Sequence, residues 1–439
     1  MSHMKVMNYL RKLFANMEQV QYLIVGAGIS GLSFARSLKE KSYLVVEKEP
    51  TAGGLCRTHY KNEYVWDFAG HFFHFSNEEI KSFFDKRVKA DDLVFCNKET
   101  KIILKNKYID YPFQTNIHQL EKQDFIDCLY DLYFKDSKEN FKDFEDMLYA
   151  KFGKSITELF LKPYNEKLYA CSLKKLDTNA MGRFFPYADL KDVIKNMKES
   201  RDSSYNNSFE YPKRGAQVFI EALLSDIDMD NLMLNTEVKN IDIKNKKATI
   251  ESDKEEMTVE YEYLINTVPL NVFTELCNTE VPENVLSYNQ VLVYNIGFDS
   301  ALEDTSSHWI YFPEKKYCFY RVGFYNNILS ETKGSTYVEL GFDPNMEITK
   351  EIKDMYYHKT LEDLRNCGIV SDQKTVAHET LVINPGYVHI TEQGKKWVER
   401  YMAEMAKKKV YSIGRYGAWT YCSMEDCMLQ ALKLSKEIG

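Results

Sequence analysis

A glycine-rich turn near the N-terminus constrains the fold of this chain more than any other feature. The apolar run 21–25 leads into the turn 26–31 (GAGISG), a helical pattern follows, and a second apolar run, 43–46, ends at Glu47. This order is β–turn–α–β with G-x-G-x-x-G in the turn, where glycines let the main chain approach a pyrophosphate. The acid after the second strand can accept hydrogen bonds from both ribose hydroxyls. The sequence therefore predicts a dinucleotide-binding unit.

A second glycine-rich segment, 53–58 (GGLCRT), follows shortly after Glu47. This continuation resembles the FAD fold shared by amine oxidases, protoporphyrinogen oxidases, phytoene desaturases and nucleotide-sugar mutases, and NAD folds generally lack it. The resemblance implies that the dinucleotide is FAD, with Arg57 and the glycine main chain against the flavin and its pyrophosphate.

Length and charge limit the classes of protein that fit. A chain of 439 residues is too long for one simple core and predicts roughly two or three domains. The formal net charge of −8 argues against a nucleic-acid partner, so positive charge for an anionic substrate must be local. No apolar run reaches the roughly 18 residues of a transmembrane helix, so no membrane partner is predicted.

The cysteines favour neither a disulfide framework nor a metal site. There are nine of them, scattered along the chain without a C-x-x-C pair. Reduced thiols are the simpler interpretation, and they indicate a cytoplasmic protein. No pattern indicates an oligomeric state.

Alternating and apolar runs late in the chain predict that it returns to the cofactor domain. The segment 231–250 predicts two strands with a turn at 244–246, and 261–269 predicts another. The run 410–414 predicts a last strand, followed by a loop and a terminal helix at 424–438. The cofactor domain is therefore expected to be discontinuous.

The middle of the chain predicts two further domains. Apolar residues recur at three- and four-residue steps within 117–198, which predicts packed helices. The runs 286–325 and 335–342 predict strands of a sheet over the active site, and the polar stretch 201–208 predicts a mobile loop. We therefore predict an α/β fold with a discontinuous Rossmann-type FAD-binding domain, a helical substrate domain and an antiparallel sheet domain. The expected boundaries are 20–90, 210–275 and 376–439 for the first, 117–205 for the second, and 91–116 and 276–375 for the third.

Five further blocks stand out: 66–71 (WDFAGH), 111–116 (YPFQTN), 162–170 (KPYNEKLYA), 311–321 (YFP through FYR) and 414–421 (GRYGAWTY). Together they resemble one family, the UDP-galactopyranose mutases. They occur in the order of that family, span nearly the whole chain, and mostly look closer to its eukaryotic-type branch. The run 71–74 (HFFH) instead resembles the bacterial branch.

The resemblance implies a flavin-dependent isomerase. Reduced flavin N5 would attack the anomeric carbon and displace the nucleoside diphosphate, and the opened sugar would reclose with the other ring size. The reaction implied most directly interconverts UDP-galactopyranose and UDP-galactofuranose for polysaccharide biosynthesis. FAD would be active when reduced, with NADH or NADPH as a plausible reductant.

Three residues are candidates for catalysis. Arg321 ends an apolar aromatic strand, and its guanidinium suits a diphosphate; the alternative is an ion pair with a core carboxylate. Arg183 is the candidate second arginine, although alignment with the family puts Phe184 on that position, and a one-residue offset on a helix turns a side chain by about 100°. The resemblance puts His71 over the flavin through main-chain contact near N5; a structural histidine is the alternative.

The same resemblance implies further contacts. Tyr169 stands where the family has tryptophan, and the helix starting at Met424 would direct its positive end towards the flavin. Substrate contacts are implied for Tyr111, Phe113 and Gln114 at the uracil, for Tyr311, Tyr387 and Tyr421 at the diphosphate, and for Asn165 and Tyr169 near the pyrophosphate and sugar. Cofactor contacts are implied for Gly26, Gly28, Ser30, Gly31, Glu47, Lys48, Gly54, Leu55, Arg57, Gly70, His71, Val238, Gly414, Arg415 and Met424.

Other readings of the same fold stay open. A flavin oxidoreductase of the amine oxidase or protoporphyrinogen oxidase type is the main alternative, and a flavin-binding protein without catalysis is another. Amine oxidases often have a lysine near N5 and an aromatic cage for a neutral amine, whereas Arg321 with its tyrosines favours an anionic ligand. The sugar and the base are also open, so N-acetylated or deoxy nucleotide sugars remain candidates.

Overall fold

The computed structural model describes residues 19–39, 41–136, 138–199 and 207–439. The loop predicted at 201–208 therefore lies, up to residue 206, outside the described residues. The strands are β1 (Gln19–Val25), β2 (Tyr43–Val46), β3 (Thr58–Lys61), β4 (Tyr64–Asp67), β5 (Leu93–Asn97), β6 (Thr100–Leu104), β7 (Lys107–Asp110), β8 (Ser208–Pro212), β9 (Leu232–Met233), β10 (Thr236–Asp242), β11 (Lys247–Ser252), β12 (Glu255–Asn266), β13 (Gln290–Phe298), β14 (Trp309–Tyr311), β15 (Arg321–Phe324), β16 (Ser335–Phe342), β17 (Thr375–Ile383) and β18 (Val410–Ser412).

The helices alternate with these strands. In the described residues the α-helices are Ile29–Ala35, Glu78–Asp85, Lys122–Phe134, Phe144–Ile156, Lys162–Tyr169, Leu190–Lys198, Gln217–Leu224, Leu270–Leu276, Tyr325–Leu329, Lys350–Asn366, Glu392–Ala406, Gly414–Gly417 and Met424–Ile438. The terminal helix occupies the residues predicted for it. The helices 350–366 and 392–406 were not predicted.

The first sheet has the order β10–β11–β12–β1–β2–β9, with β18 beside the end of β12. Strand β1 is parallel to β2 and β12, so Val25, Val46 and Asn266 end side by side at one edge. Strands β1 and β2 are apolar runs because helices cover both faces of such a sheet. Every residue of the helix Ile29–Ala35 is buried. The predicted Rossmann-type unit, including its late return in β12 and β18, is confirmed.

The second sheet has the order β17–β13–β16–β15–β14–β6–β7. It is antiparallel except for β14 and β6, which run parallel, so the predicted antiparallel sheet contains one parallel pair. Strand β13 is buried along its whole length because β16 and β17 flank it and helices cover it. Since β17 pairs with β13, residues 376–383 lie in this sheet rather than in the first. The predicted domain boundaries otherwise stay predictions.

The helical region packs against the second sheet. The helices Phe144–Ile156 and Lys162–Tyr169 are joined by a π-helical turn, Thr157–Leu161. Pro163 lies at the start of the second helix, directly after the π-helical turn. The chain leaves that helix at Ala170 in the left-handed conformation, with φ of 51°. The block 162–170 therefore forms one compact helix that carries Asn165 and Tyr169 into the core.

A shared hydrophobic core joins the helices to the second sheet. Tyr164, Tyr169, Tyr320 and Tyr337 are buried in it together with Phe113. Their rings are therefore held by packing, and their hydroxyls are the polar ends of core side chains. Across the described parts of the chain, none of the helices combines the length and the apolar character needed to cross a bilayer.

Candidate active site

The two glycine-rich segments pack edge to edge. A side chain at Gly31 would put its Cβ 2.1 Å from the Gly26 carbonyl oxygen, so the turn can close only with glycine there. The Gly53 N–H donates to the Ala27 carbonyl at 2.8 Å. Gly28 is different, because its φ of −77° is ordinary and a Cβ would meet only the Gly54 Cα at 3.9 Å. The open space over Gly28 is the space that a pyrophosphate needs in a turn of this type.

Glu47 is fixed at the end of β2 beside this turn. Its carboxylate accepts from the Ala27 N–H at 2.8 Å and from the Glu49 N–H at 3.0 Å, and it is 8% exposed. Both oxygens are oriented by main-chain donors and keep further lone pairs for ribose hydroxyls. Lys48 follows on the surface. This geometry fits the predicted ribose contact.

The C-terminal segment returns to the same turn. A Cβ at Gly414 would lie 2.2 Å from the Ser30 hydroxyl oxygen, so residues 414–417 pack directly on the first turn of the glycine-rich helix. Arg415 donates to the Cys422 carbonyl at 3.0 Å, and its Cζ lies 4.4 Å from the Tyr421 ring centroid. Arg415, almost four hundred positions later in the chain, thus brings a guanidinium beside the dinucleotide turn.

The other predicted cofactor positions lie in or after the second glycine-rich segment, in the first sheet and at the terminal helix. Arg57 donates to the Gly54 carbonyl at 2.9 Å and pairs with Glu49 at 2.9 Å, so it is held at the second glycine segment. Val238 is buried in the same core cluster as Val25 and Val46. Leu55 and Gly70 are partly buried, and Met424 begins the terminal helix.

Arg321 is held by a buried carboxylate. Strand β15 puts it between Tyr311 of β14 and Glu339 of β16. Its Nε and Nη2 donate to the two Glu339 oxygens at 2.9 and 2.6 Å, and the side chains are 21% and 2% exposed. Burial lowers the pKa of Arg321, but the Glu339 carboxylate and the neighbouring tyrosines together raise it, so the pKa lies above its ordinary value. The sequence alternative of an ion pair with a core carboxylate is therefore present, and Nη1 remains for a ligand.

Tyrosines connect Arg321 to Arg415. The Tyr387 ring centroid lies 5.4 Å from the Arg415 Cζ. Burial raises the pKa of Tyr387, and the nearby Arg321 cation opposes this rise. The rings of Tyr387 and Tyr421 stack at 6.0 Å. Tyr311 accepts from the Trp309 Nε1 at 3.0 Å. The three tyrosines predicted at the diphosphate thus lie in one neighbourhood with both arginines, and their neutral hydroxyls can donate hydrogen bonds.

His71 lies close to both arginines. Its Nδ1 is 3.3 Å from the Ala69 carbonyl oxygen. Burial lowers the pKa of His71 to about 4, and the charges of Arg415 and Arg321 act in the same direction. The imidazole is therefore neutral near pH 7, which agrees with the expectation that its ring does no acid–base work.

A cavity of about 320 Å³ opens beside Tyr311. Tyr111 and Gln114 line it, together with Lys98 and His74, which the sequence reasoning did not single out. Gln114 donates through Nε2 to the Pro186 carbonyl, and its Oε1 is buried without a hydrogen-bond partner in the described residues. Such an acceptor suits the N–H of a nucleobase.

Phe113 lies behind the cavity wall rather than on it. Its ring is fully buried and stacks on Phe160 at a centroid distance of 5.0 Å. It can support the wall, whereas the predicted stacking on the base would need an exposed face.

Arg183 lies at the rim of the site. It is 47% exposed and pairs with Asp426 at 2.7 Å, at the start of the terminal helix. Phe184, which occupies the position of the family arginine, packs edge-on against Tyr421 at 5.2 Å. In the short 3₁₀ turn Gly182–Phe184, Phe184 thus contacts Tyr421 and Arg183 pairs with the terminal helix.

Asn165 and Tyr169 each carry a buried polar atom without a partner in the described residues. The Asn165 amide donates to the Leu161 carbonyl at 2.6 Å, which leaves its Oδ1 open. Tyr169 is 1% exposed, and its ring lies 5.9 Å from that of Tyr387. A buried hydroxyl without a partner costs about 1–3 kcal/mol, so a ligand is an expected partner.

Sequence reasoning missed two residues that hold Arg321 in place. Glu339 could have been found, because it is the single charge in the apolar run 335–342. Lys167 had no such signal. Its Nζ donates to the carbonyls of Phe312 at 2.8 Å and Glu314 at 3.1 Å, inside the loop that joins β14 to β15, and burial lowers its pKa to about 7. It ties the helix of Tyr169 to the hairpin of Arg321.

The described residues were compared with the arrangements that hold metal ions. Within the described ranges, no three His, Cys, Asp or Glu side chains are arranged to hold a metal ion. The chemistry offered is therefore two arginines, neutral tyrosine hydroxyls and a dinucleotide turn.

Known structures share this fold. A reduced UDP-galactopyranose mutase superposes with a TM-score of 0.87 at 24% identity, over 95% of this chain and 93% of that chain. A protein assigned as a protoporphyrinogen oxidase from Exiguobacterium sp. gives 0.75 at 15% identity, over 95% and 98%. Cyclohexylamine oxidase from Brevibacterium oxydans gives 0.63 at 12% identity, over 95% and 99%.

A family model agrees with the site. The model for flavin containing amine oxidoreductases matches residues 29–438, which is nearly the whole chain. The glycine turn, the buried Glu47 and the returning Arg415 segment fit the flavin dinucleotide that such proteins hold. This chain therefore belongs to the family of flavin containing amine oxidoreductases.

Proposed function

We propose that this protein is an FAD-dependent isomerase that interconverts the pyranose and furanose forms of a nucleotide sugar, most directly those of UDP-galactose. The observation that carries the proposal is the pair of arginines, Arg321 and Arg415, which both lie near Tyr387. Two guanidiniums with neutral phenols favour a diphosphate and oppose a protonated amine. Similarity in fold to a UDP-galactopyranose mutase supports the same direction.

The chain's own residues would bind and orient the substrate. Glu339 accepts from two nitrogens of Arg321, and this bidentate pair fixes the orientation of the guanidinium. The remaining nitrogen, Nη1, would donate to the diphosphate. Tyr387 and Tyr421 would add hydroxyl donors to the diphosphate. The open Gln114 acceptor and the Tyr111 ring would bind the base in the adjacent cavity.

Reduced FAD, once bound, supplies the nucleophile for such a reaction. The N-terminus of the helix Met424–Ile438 is the positive end of its dipole, and it would favour the negative charge of reduced flavin. His71 would stay neutral and contribute main-chain contacts. Arg183 keeps a proposed role at the diphosphate, which would require it to exchange Asp426 for the ligand. NADH or NADPH is the proposed reductant.

The first test is turnover with UDP-galactofuranose after reduction by dithionite. Formation of UDP-galactopyranose by the reduced protein, and none by the oxidised protein, is the expected result. Chromatography of the nucleotide sugars measures it. Steady hydrogen peroxide production with an amine, without sugar conversion, would show instead an oxidase of the kind represented by cyclohexylamine oxidase.

Tyr169→Phe tests whether the buried hydroxyl contacts the sugar. Removing a hydroxyl without a partner should leave the ligand-free protein as stable as before, or more stable by up to about 1–3 kcal/mol. The increase in melting temperature that UDP-galactose gives to the reduced protein should shrink. Tyr261→Phe is a matched control, because that hydroxyl is also buried without a partner but lies in the first sheet. An unchanged ligand effect in Tyr169→Phe would remove the hydroxyl from the sugar site.

The proposal extends to a cellular role. We propose a cytoplasmic enzyme of polysaccharide biosynthesis that supplies galactofuranose, and its kinship with the eukaryotic-type branch stays a prediction. Cell fractionation and the galactofuranose content of a deletion strain would test these statements.

A further inference from the structure

Two cysteine thiols are in contact at the start of the terminal helix. The Sγ atoms of Cys422 and Cys427 lie 3.5 Å apart, and the residues are 7% and 5% exposed. Cys422 immediately precedes the helix N-cap, Ser423, and Cys427 lies in the first turns of that helix. A disulfide requires about 2.05 Å between sulfurs, so a modest local adjustment would join them.

The surroundings favour a shared proton between these sulfurs. The thiol hydrogen bond from Cys422 lowers the pKa of Cys427 and raises that of Cys422. Arg415 donates to the Cys422 carbonyl at 3.0 Å and adds positive charge nearby. A helix N-terminus and a guanidinium are the environment in which thiols become reactive.

A cavity gives small molecules access to Cys422. It has a volume of about 370 Å³, and Cys422 lies in its wall together with Arg183, Asp426 and Lys433. By contrast, Cys128 is fully buried, and its pKa is raised to about 12 by burial. The pair therefore differs from an ordinary core cysteine in contact, charge and access.

We propose that Cys422 and Cys427 form a redox-active dithiol site that reacts with small-molecule disulfides. As the shared proton passes to Cys427, the sulfur of Cys422 at the cavity would attack one sulfur of the reagent, form a mixed disulfide and expel the first thiolate. Cys427 would then attack the mixed disulfide and expel the second. The two protein thiols lose two electrons and two protons, and the reagent becomes two thiols. The proposal does not rest on the proposed sugar chemistry, although Arg183 and Tyr421 line the same cavity.

The oxidised form would differ from the reduced form near the flavin site. The new bond would tie residue 422, whose carbonyl accepts the Arg415 hydrogen bond, to the helix that begins at Met424. Cys427 also lies beside Ser30 of the glycine-rich turn. The two cysteines thus contact Arg415 and Ser30, which are predicted to hold the dinucleotide.

The test exposes the full chain, with its flavin, to 2-hydroxyethyl disulfide under native conditions. Remaining thiols are then alkylated in denaturant, and the peptides are mapped by mass spectrometry. We expect an internal Cys422–Cys427 disulfide that dithiothreitol reverses, formed at least about tenfold faster than any modification of Cys128. Cys427→Ser should stop at the mixed disulfide on Cys422, and Cys422→Ser should not react at the site.

Two outcomes would overturn the proposal. Both cysteines could be recovered only as alkylated thiols, without any disulfide, while Cys128 has also not reacted with the disulfide reagent. That result would show that the contact is inert. A stable mixed disulfide on Cys422 in the unaltered chain would show that Cys427 cannot resolve it. Neither outcome depends on sugar turnover, so failure here is distinct from failure of the proposed isomerase.

Discussion

Replacing Gly28 by alanine is expected to remove the flavin while leaving the fold intact. The residue has an ordinary φ of −77°, and an added Cβ would meet no protein atom closer than the Gly54 Cα at 3.9 Å. Alanine at a compatible site lowers the entropy of the unfolded chain, so the apoprotein should be as stable or up to about 1 kcal/mol more stable. The same methyl group would occupy the space that the pyrophosphate needs.

Flavin content and apoprotein melting temperature together test this expectation. We expect FAD affinity to fall at least about a hundredfold, or about 2.8 kcal/mol, with no loss of apoprotein stability. Gly31→Ala is the contrasting variant, because its Cβ would lie 2.1 Å from the Gly26 carbonyl oxygen and the fold itself should suffer. Normal flavin content in Gly28→Ala would mean that the pyrophosphate does not approach this turn.

The Arg321–Glu339 pair is expected to separate a structural effect from a binding effect. Arg321→Met would leave the Glu339 carboxylate buried and unpaired, which costs about 3–5 kcal/mol of folding free energy. Glu339→Gln in the same chain removes that charge, so the double variant should recover most of the stability. It should not recover affinity for UDP, because the guanidinium that would contact the diphosphate is still missing.

The measurements are unfolding free energy, flavin absorbance and UDP titration of the reduced protein. We expect the double variant to retain FAD and to bind UDP at least about thirtyfold more weakly, a loss of about 2 kcal/mol, with turnover reduced further. Glu339→Gln alone keeps the cation and should give an intermediate loss, because Arg321 is then less well oriented. UDP binding at the unaltered level in the double variant would make the pair purely structural, and loss of FAD would relocate Arg321 to the cofactor site.

Much of the first sheet was predictable because its signals are local. The turn 26–31 and the acid after β2 lie within one short stretch of chain, and apolar runs mark the parallel strands on either side. The late strand β18 and the terminal helix were also predicted from their own residues. The second sheet was predicted less completely: the segment 91–116, which contains β6 and β7, was assigned to it, whereas β17 joins it through a pairing that its short run does not reveal.

The candidate site was predicted as a set of residues but not as an arrangement. Arg321 and Tyr311 carry sequence signals of their own, whereas Glu339 orients Arg321 from another strand and Lys167 anchors the loop between their strands from a helix. Phe113 lies behind the cavity wall because the core claims its ring. Arg183 pairs with Asp426 because its short turn directs it to the terminal helix.

The sequence by itself determined the dinucleotide-binding unit, because glycine spacing and strand periodicity act between near neighbours in the chain. Only the tertiary structure decided where the positive charges of the candidate site lie. Arg321 and Arg415 both come near Tyr387 through contacts between distant segments. The contact between Cys422 and Cys427 is of the second kind too, although the residues are close in sequence. Their sulfurs meet because the turn before the helix folds back over its first residues, which no spacing rule states.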